Sequence, residues 1–402
     1  MPQTFHRDRF TWMAYLFFAF YCFFINLLGP VTPFLKEELD LSYTVSSLHF
    51  TAFAVGILLI SLSGQLLIQR IGRWPSLWIG AFGISASALV LVIGRSPVIT
   101  IGASFSMGLL GALILIIVPT VLSDHHREHR AAALSDAMVI VSLACTAAPL
   151  LVGWSANLPG GWRLAVAGAA LLPIGMRLYL GSATPSEAVS DRGEPGKRQV
   201  ITGQKLPGQK LPGQKLPGLY WVYWTGIMLS VAVEFCMISW SADYLETGLG
   251  MAKVDAVQAV SLFLGAMIVG RFAGSRLVLR FATPKVVTAA IGVTGLGFLL
   301  FWTTHNVLVG LAGLFITGVG VASLYPLILT LAMEAAGDHA VQASARATLA
   351  SGTAVLILPL ALGRLADLVG IRPAYGVVGI LVLGLLLMIL LTQRTSPAYQ
   401  SA

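Results

Sequence analysis

Apolar residues along this chain run in long blocks, not in the narrow stripes of a helix lying on a soluble core. A helix needs about 20 mainly apolar residues to cross the hydrocarbon of a bilayer. Six blocks of that kind fall at Phe10–Leu35, Val45–Ile68, Leu77–Ile93, Val98–Leu122, Ala132–Trp154 and Leu164–Leu180. Six more fall at Tyr220–Leu245, Val257–Leu279, Val286–Thr303, Val307–Met333, Thr348–Leu368 and Tyr375–Leu391. The pattern predicts an all-α polytopic membrane protein with twelve transmembrane helices. Between the two sets lies 181–218, rich in Pro, Gly and charge, with three tandem Gly-Gln-Lys-Leu-Pro copies starting at Gly203, Gly208 and Gly213. Proline every fifth residue forbids a continuous helix, so this segment is expected to be a disordered or extended linker. The expected organisation is a six-helix bundle over 1–180, the linker over 181–218 and a second bundle over 219–402.

Composition agrees with the pattern. Hydrophobic residues make up 56% of the chain and charged residues 10%, against roughly 25% charged in a soluble domain. Much of the surface must therefore face membrane lipid. Met1–Arg9 is polar and lacks a small-residue cleavage site, so the first block is expected to remain as a helix. The net charge of +8 does not point to nucleic acid, because Lys and Arg collect in cytoplasmic loops of membrane proteins. Arg7, Arg9, Arg70, Arg73, Arg127, Arg130, the linker cations, Arg280 and Lys285 share one side; Glu37, Glu38, Asp40, Glu246 and Asp255 share the other. Both termini and the linker are thus expected in the cytoplasm, with Arg364 and Arg372 as exceptions. Lys205, Lys210 and Lys215 offer positive charge to anionic lipid. Cys22, Cys145 and Cys236 lie inside apolar blocks and read as small core residues.

The halves echo each other. Pro119 corresponds to Pro326, Pro149 and Gly153 to Pro359 and Gly363, Arg163 to Arg372, Gly56 to Gly265 and Arg70 to Arg280, at offsets of about 206–210 residues. Two halves of the same orientation imply a pseudo-twofold axis along the membrane normal, with a site at their interface. The loop after helix two reads Gly64-Gln65-Leu66-Leu67-Ile68-Gln69-Arg70-Ile71-Gly72-Arg73. It resembles the loop signature of the major facilitator superfamily (MFS), which ends in Asp-Arg-x-Gly-Arg; Gln69 stands where the family has Asp. A looser copy runs from Gly270-Arg271 to Arg280. The stretch from Val233-Glu234-Phe235 to Leu245 is similar to helix seven of the sugar-porter-like branch related to fucose–proton symporters, although Asn26 replaces that branch's helix-one carboxylate. Ala148-Pro149-x-x-x-Gly153 partly resembles the helix-five motif of proton-driven drug exporters. The resemblance implies an MFS fold in which helices one, four, seven and ten line a cavity.

Glu234 stands out as a carboxylate about 22 Å along helix seven, where an ionisable group is costly and usually functional. It suits proton coupling or substrate binding. Tyr223, Ser230, Glu234 and Ser241 fall on one helical face. Arg271 wants an anion, either Glu234 or an anionic substrate; by the resemblance it could instead organise a gate. Tyr15, Asn26, Trp240 and Tyr325 are cavity candidates by the same resemblance. Gln69, Arg70, Gly72, Arg73, Arg130, Arg280, Glu334 and Arg346 form the expected cytoplasmic gate. The run Asp124–Arg130 has the look of a metal cluster, but its spacing without Cys argues for a gate loop. His49 reads as a hydrogen-bonded structural residue. No metal or cofactor is called for, and nothing suggests an enzyme. The expected function is a monomeric secondary transporter of a small organic solute such as a sugar, coupled to protons by alternating access. The alternatives are a proton-driven exporter of drugs or lipids, and a transport-inactive receptor of the same fold.

Overall fold

The computed structural model describes residues 6–180 and 216–395, and the regular structure in them is helical throughout. The Gly-Gln-Lys-Leu-Pro repeats lie almost wholly outside the described residues. In the first half, α1 is Arg9–Glu38, α2 Tyr43–Ile71, α3 Arg73–Ile93, α4 Pro97–His126 and α5 Arg130–Ala156, while α6 has two pieces, Arg163–Ala170 and Leu172–Leu180. In the second half, α7 is Gly218–Asp243 and runs on as a π turn to Gly248. It is followed by α8, Lys253–Leu277, and α9, Thr283–Thr303. Next come α10, Val307–Val321 plus Leu324–Ala336, and α11, Ala340–Val369. The last, α12, is Ile371–Ala374 plus Gly376–Thr395. Helices satisfy their own backbone groups, which the hydrocarbon demands.

Ten stretches are long and apolar enough to cross a membrane. One of them, Pro97–Ala156, folds back at the 3-10 turn Arg127–His129 to give α4 and α5. Counting α4 and α5 separately gives eleven; the twelfth expected crossing, helix six, is in two pieces of 8 and 9 residues. Helices six and ten, each read as continuous from sequence, are broken, and proline explains both. Pro173 cannot donate to the Ala169 carbonyl, nor Pro326 to that of Ala322. At the second break Ser323 Oγ donates instead to the Gly270 carbonyl of α8 at 3.0 Å.

The sequence repeat is a packing repeat. In the first half Gly108 of α4 lies against the Phe53 carbonyl of α2; in the second, Gly318 of α10 lies against the Phe263 carbonyl of α8. Both members are displaced by the same 210 residues. A side chain at either glycine would collide with backbone, which is how small residues let membrane helices approach closely. A second pair concerns helix ends. Arg163 Nε donates to the Val92 carbonyl at the end of α3 at 3.0 Å, and Arg372 donates to the Thr304 carbonyl after α9 at 3.0 Å. Each guanidinium satisfies carbonyls that a helix end leaves open. Arg372, an exception to the loop charge bias, is held by this duty.

The halves meet along α2–α11, α5–α8 and α1–α7. Gly153 of α5 rests on Gln258 and the Val254 carbonyl of α8, and Gly363 of α11 rests on Ser47 and the Tyr43 carbonyl of α2. Gly29 of α1 rests on the Ile238 carbonyl of α7. The end of the bundle where 181–215 departs is the linker end, and the opposite one the far end. Among the described residues, the hydrogen bonds and ion pairs that join the halves all lie between mid-bundle and the far end. The two halves are therefore joined by charges and hydrogen bonds toward the far end, where those between described residues lie.

Gly108→Leu and Gly318→Leu should each lower the melting temperature of the detergent-purified protein, at a cost of about 1–3 kcal/mol or more for overpacking. Gly102, which has nothing within 4 Å of an added Cβ, is the control. Gly102→Ala should be neutral or stabilising by up to about 1 kcal/mol. Equal losses at all three positions would refute the packing assignment.

Candidate functional site

Charge closes the far end. Lys36, at the end of α1, pairs with Asp243, at the end of α7; the Asp243 side chain is 1% exposed and that of Lys36 21%. The same ammonium sits 3.9 Å from the centroid of the Tyr43 ring. Lys253 on α8 pairs with Glu37 of α1 and, at 3.3 Å, with Glu246. Asp367 of α11 accepts from the Tyr43 and Thr44 amides at 2.7 and 2.8 Å, and so caps the start of α2 from the other half. Beneath these charges Trp240 of α7 donates to the Pro359 carbonyl at 3.1 Å and packs against the rings of Tyr43 and Phe50. Above them is an open recess of about 550 Å³, lined in part by Lys36, Glu246, Lys253 and Asp367.

Below the closure lies a polar cluster contributed by four helices. Glu234 of α7 is partly exposed and has no hydrogen-bond or ion-pair partner among the described residues. Arg271 of α8 is the charge whose field reaches it. Arg271 itself is exposed into the space between the halves and touches Ser142 Oγ of α5 at 3.4 Å. Asn26 of α1 donates to the Cys22 carbonyl at 3.0 Å and to Cys145 Sγ of α5 at 3.1 Å. All three cysteines are free thiols, and Cys145 Sγ donates to the Cys22 carbonyl at 3.7 Å. Pro30 and Pro149, each four residues on, have no N–H to offer the Asn26 and Cys145 carbonyls.

The other cavity candidates are dispersed. Ser230 is buried and bonds to its own helix through the Ile227 carbonyl at 2.9 Å. Ser241 bonds to the Met237 carbonyl and to the Tyr375 hydroxyl of α12, inside its own half. Tyr223 is buried and Tyr325 half-buried. Tyr15 is buried near Arg7 and Asp136, which pair at 2.7 Å close to the linker end. Trp240 belongs to the closure.

The linker-end residues work within their own halves. Gly72 joins α2 to α3 at φ +95°, a conformation that favours glycine. Arg73 pairs with Asp124 at 2.5 Å. His125 bonds to Asp8 at 2.8 Å and His126 to the Thr11 hydroxyl at 2.7 Å, so the histidine run ties α4 to α1. Burial disfavours the charge of Asp8. Hydrogen bonds from Thr11 and His125 outweigh it and hold the carboxyl below its ordinary range. Among the described residues there is no metal-binding group of three or more His, Cys, Asp or Glu side chains. Gln69, Arg70, Arg130, Arg280 and Glu334 are exposed and make no ion pair with a described residue, while Arg346 lies 5.2 Å from the Trp221 ring. His49 is buried and links α2 to Thr100 of α4 at 2.9 Å.

The sequence profile of the Major Facilitator Superfamily matches residues 14–350 and 263–402. The chain belongs to the Major Facilitator Superfamily. It is 28% identical over 165 residues to an uncharacterised MFS-type transporter of Yersinia pestis, covering 40% of this chain and 43% of that one. It is 29% identical over 161 residues to a glucose/galactose transporter of Brucella abortus, covering 37% of this chain and 36% of that one. The matches thus span about two-fifths of these curated relatives. Its fold is that of a bacterial homologue of the human lysosomal transporter Spinster, with a TM-score of 0.77 at 12% identity over 98% of both chains.

The chain is thus an integral membrane protein of a family of transporters. Within that frame, the far-end closure is what sequence reasoning missed. Lys36 sits beside Glu37 and Glu38 and reads as part of a solvated helix end. Asp243 carried a signal, a second carboxylate nine residues after Glu234 in the same apolar block. Its partner is distant in sequence and emerges only when the halves are assembled.

Removing one member of a buried ion pair leaves the other uncompensated. Asp243→Asn and Lys36→Met should each destabilise the purified protein by up to about 3 kcal/mol. The double variant should recover much of the loss, giving a coupling energy above about 1 kcal/mol. Additive losses in melting experiments would remove the pair from the closure.

Proposed function

We propose that this chain is a secondary active transporter that moves a small polar solute across the cytoplasmic membrane by alternating access, coupled to protons. The observation that carries the proposal is Glu234, a half-buried carboxylate inside an apolar helix with no ion pair to a described residue. A group so placed can meet water from one side while the far end is closed, and its cost in a membrane is hard to explain by structure alone. The paired contacts α2–α11 and α5–α8 support the rocking motion, because the same kind of interface is available on either side of the pseudo-axis. The loop charges support a cytoplasmic linker end with both termini on that side. Arg70, Arg73, Arg130, Arg280, Glu334 and Arg346 then become the groups that close that end when the far end opens. The Brucella relative's description as a glucose/galactose transporter supports a sugar-sized hydroxylated solute. A monomer suffices, since the site is built within one chain.

Glu234→Gln should abolish solute accumulation driven by an imposed pH gradient in proteoliposomes, while solute–solute exchange stays within about threefold of the parent. Gradient-driven uptake that survives the substitution would exclude Glu234 from coupling. A protein that neither accumulates nor exchanges any solute would instead be a receptor on the same fold.

A further inference from the structure

The charges of the cluster narrow the solute, given the transporter reading above. Three strong cations at the far end have carboxylates: Lys36 has Asp243, Lys253 has Glu37 and Glu246, and Arg163 has Glu38. Arg271 differs. It lies at mid-bundle, exposed between the halves, with a long contact to one serine hydroxyl and no ion pair with a described residue. Glu234, on the adjoining α7, makes no ion pair with it. A guanidinium is always charged, and its planar fork matches a carboxylate. Left alone at this depth it is expensive.

The groups around it are mostly acceptors. Asn26 spends its amide N–H on Cys22 and Cys145, and its Oδ1 has no hydrogen bond to a described residue. The Asn26 and Cys145 carbonyls face prolines in the helix-bond register. Acceptors of this kind call for donors on the ligand, which hydroxyl groups provide.

We infer that Arg271 is the anchor for an anionic group, and that the solute is a small hydroxylated organic acid, its carboxylate on Arg271 and its hydroxyls toward Asn26. The arrangement also couples the two ligands. An anion on Arg271 cancels the positive charge that Glu234 faces, so anion and proton favour each other's binding, and by linkage the effect is reciprocal. The acid then crosses with one proton, as an electroneutral pair. The remaining charges on helices packed against α7 lie toward the bundle ends: Lys36, Glu37, Glu38, Lys253, Asp255, Asp367 and Arg372 at the far end with Arg364 nearby, and Arg9, Arg276, Arg346 and Glu334 toward the linker end.

The test uses full-length protein in proteoliposomes with an imposed pH gradient. The solutes are gluconate, glucuronate, glucose, galactose and octanoate. The sugars share the hydroxyls without the charge, and octanoate stands for a lipid-like carboxylate without the hydroxyls. Gluconate or glucuronate should accumulate at least about tenfold over glucose and galactose, which lack the charge-assisted bond, and over octanoate, which lacks the hydroxyl contacts, after subtraction of uptake into protein-free liposomes. Arg271→Gln should cost about tenfold or more in apparent affinity for the acid, and Arg271→Lys, which keeps the charge, should restore part of it. Melting curves separate loss of binding from loss of folding, and the parent's solute preference stands whether or not the variants fold. Accumulation of glucose or galactose equal to that of the acids would overturn the anion anchor and leave the transporter reading intact. A preference for octanoate would overturn the hydroxylated class. Accumulation of none of the five would count against the transporter reading, and this inference would fall with it.

Discussion

Lys36 and Asp243 meet where water is scarce, one from each half of the molecule. Two charges withdrawn from water repay the withdrawal only by mutual contact and good geometry. That contact draws the far ends of α1 and α7 together and sets the rest. Lys253 bridges the neighbouring carboxylates, Asp367 caps α2, and Trp240 fills the space beneath. With the far end so occupied, the halves share no bond among the described residues at the linker end. Between the two ends, Glu234 has no ion pair and Arg271 has one serine hydroxyl among the described residues.

The halves themselves are held by a different physics. Lipid tails are as apolar as leucine, so burial gives helices little reason to associate, and close packing does more of the work. The twin contacts of Gly108 on Phe53 and Gly318 on Phe263 show the same solution used twice. Arg163 and Arg372 repeat a second device, with a guanidinium laid over the end of the third helix of each half. Rigid halves joined by paired charges form a body whose weak point is the seam, which is where a transporter needs it.

Fold and family were legible in the chain because both rest on long-period features: apolar blocks, a central interruption and an offset repeat. Glu234 was legible because a carboxylate inside an apolar block is conspicuous at one position. Its isolation from Arg271 was hinted at by depth along the two helices. The breaks in α6 and α10 were written in Pro173 and Pro326, but a proline may kink a membrane helix or sever it, and neighbours decide. The closure was not legible. Lys36–Asp243 and Asp367–Thr44 join residues more than 200 positions apart, and no local periodicity encodes which end of a bundle is shut. Tyr15 and Ser241 show the converse error. A shared helical face says that residues point the same way, not whether a neighbouring helix or open space receives them.

Where Gly29 meets the Ile238 carbonyl, the backbones of α1 and α7 touch with no side chain between them. Such a contact is a fulcrum, because it resists approach yet leaves rotation free. It lies between the far-end charges and the linker-end opening, so each half is a lever with arms on both sides. Over the far-end arm of about 10 Å, from Gly29 to Lys36, a turn of about fifteen degrees moves the tip by about 3 Å. That travel is comparable to the length of one hydrogen bond. The other arm, twenty residues back to the start of each helix, is about 30 Å long, so the same turn moves the linker end about three times as far as it moves the far-end pairs.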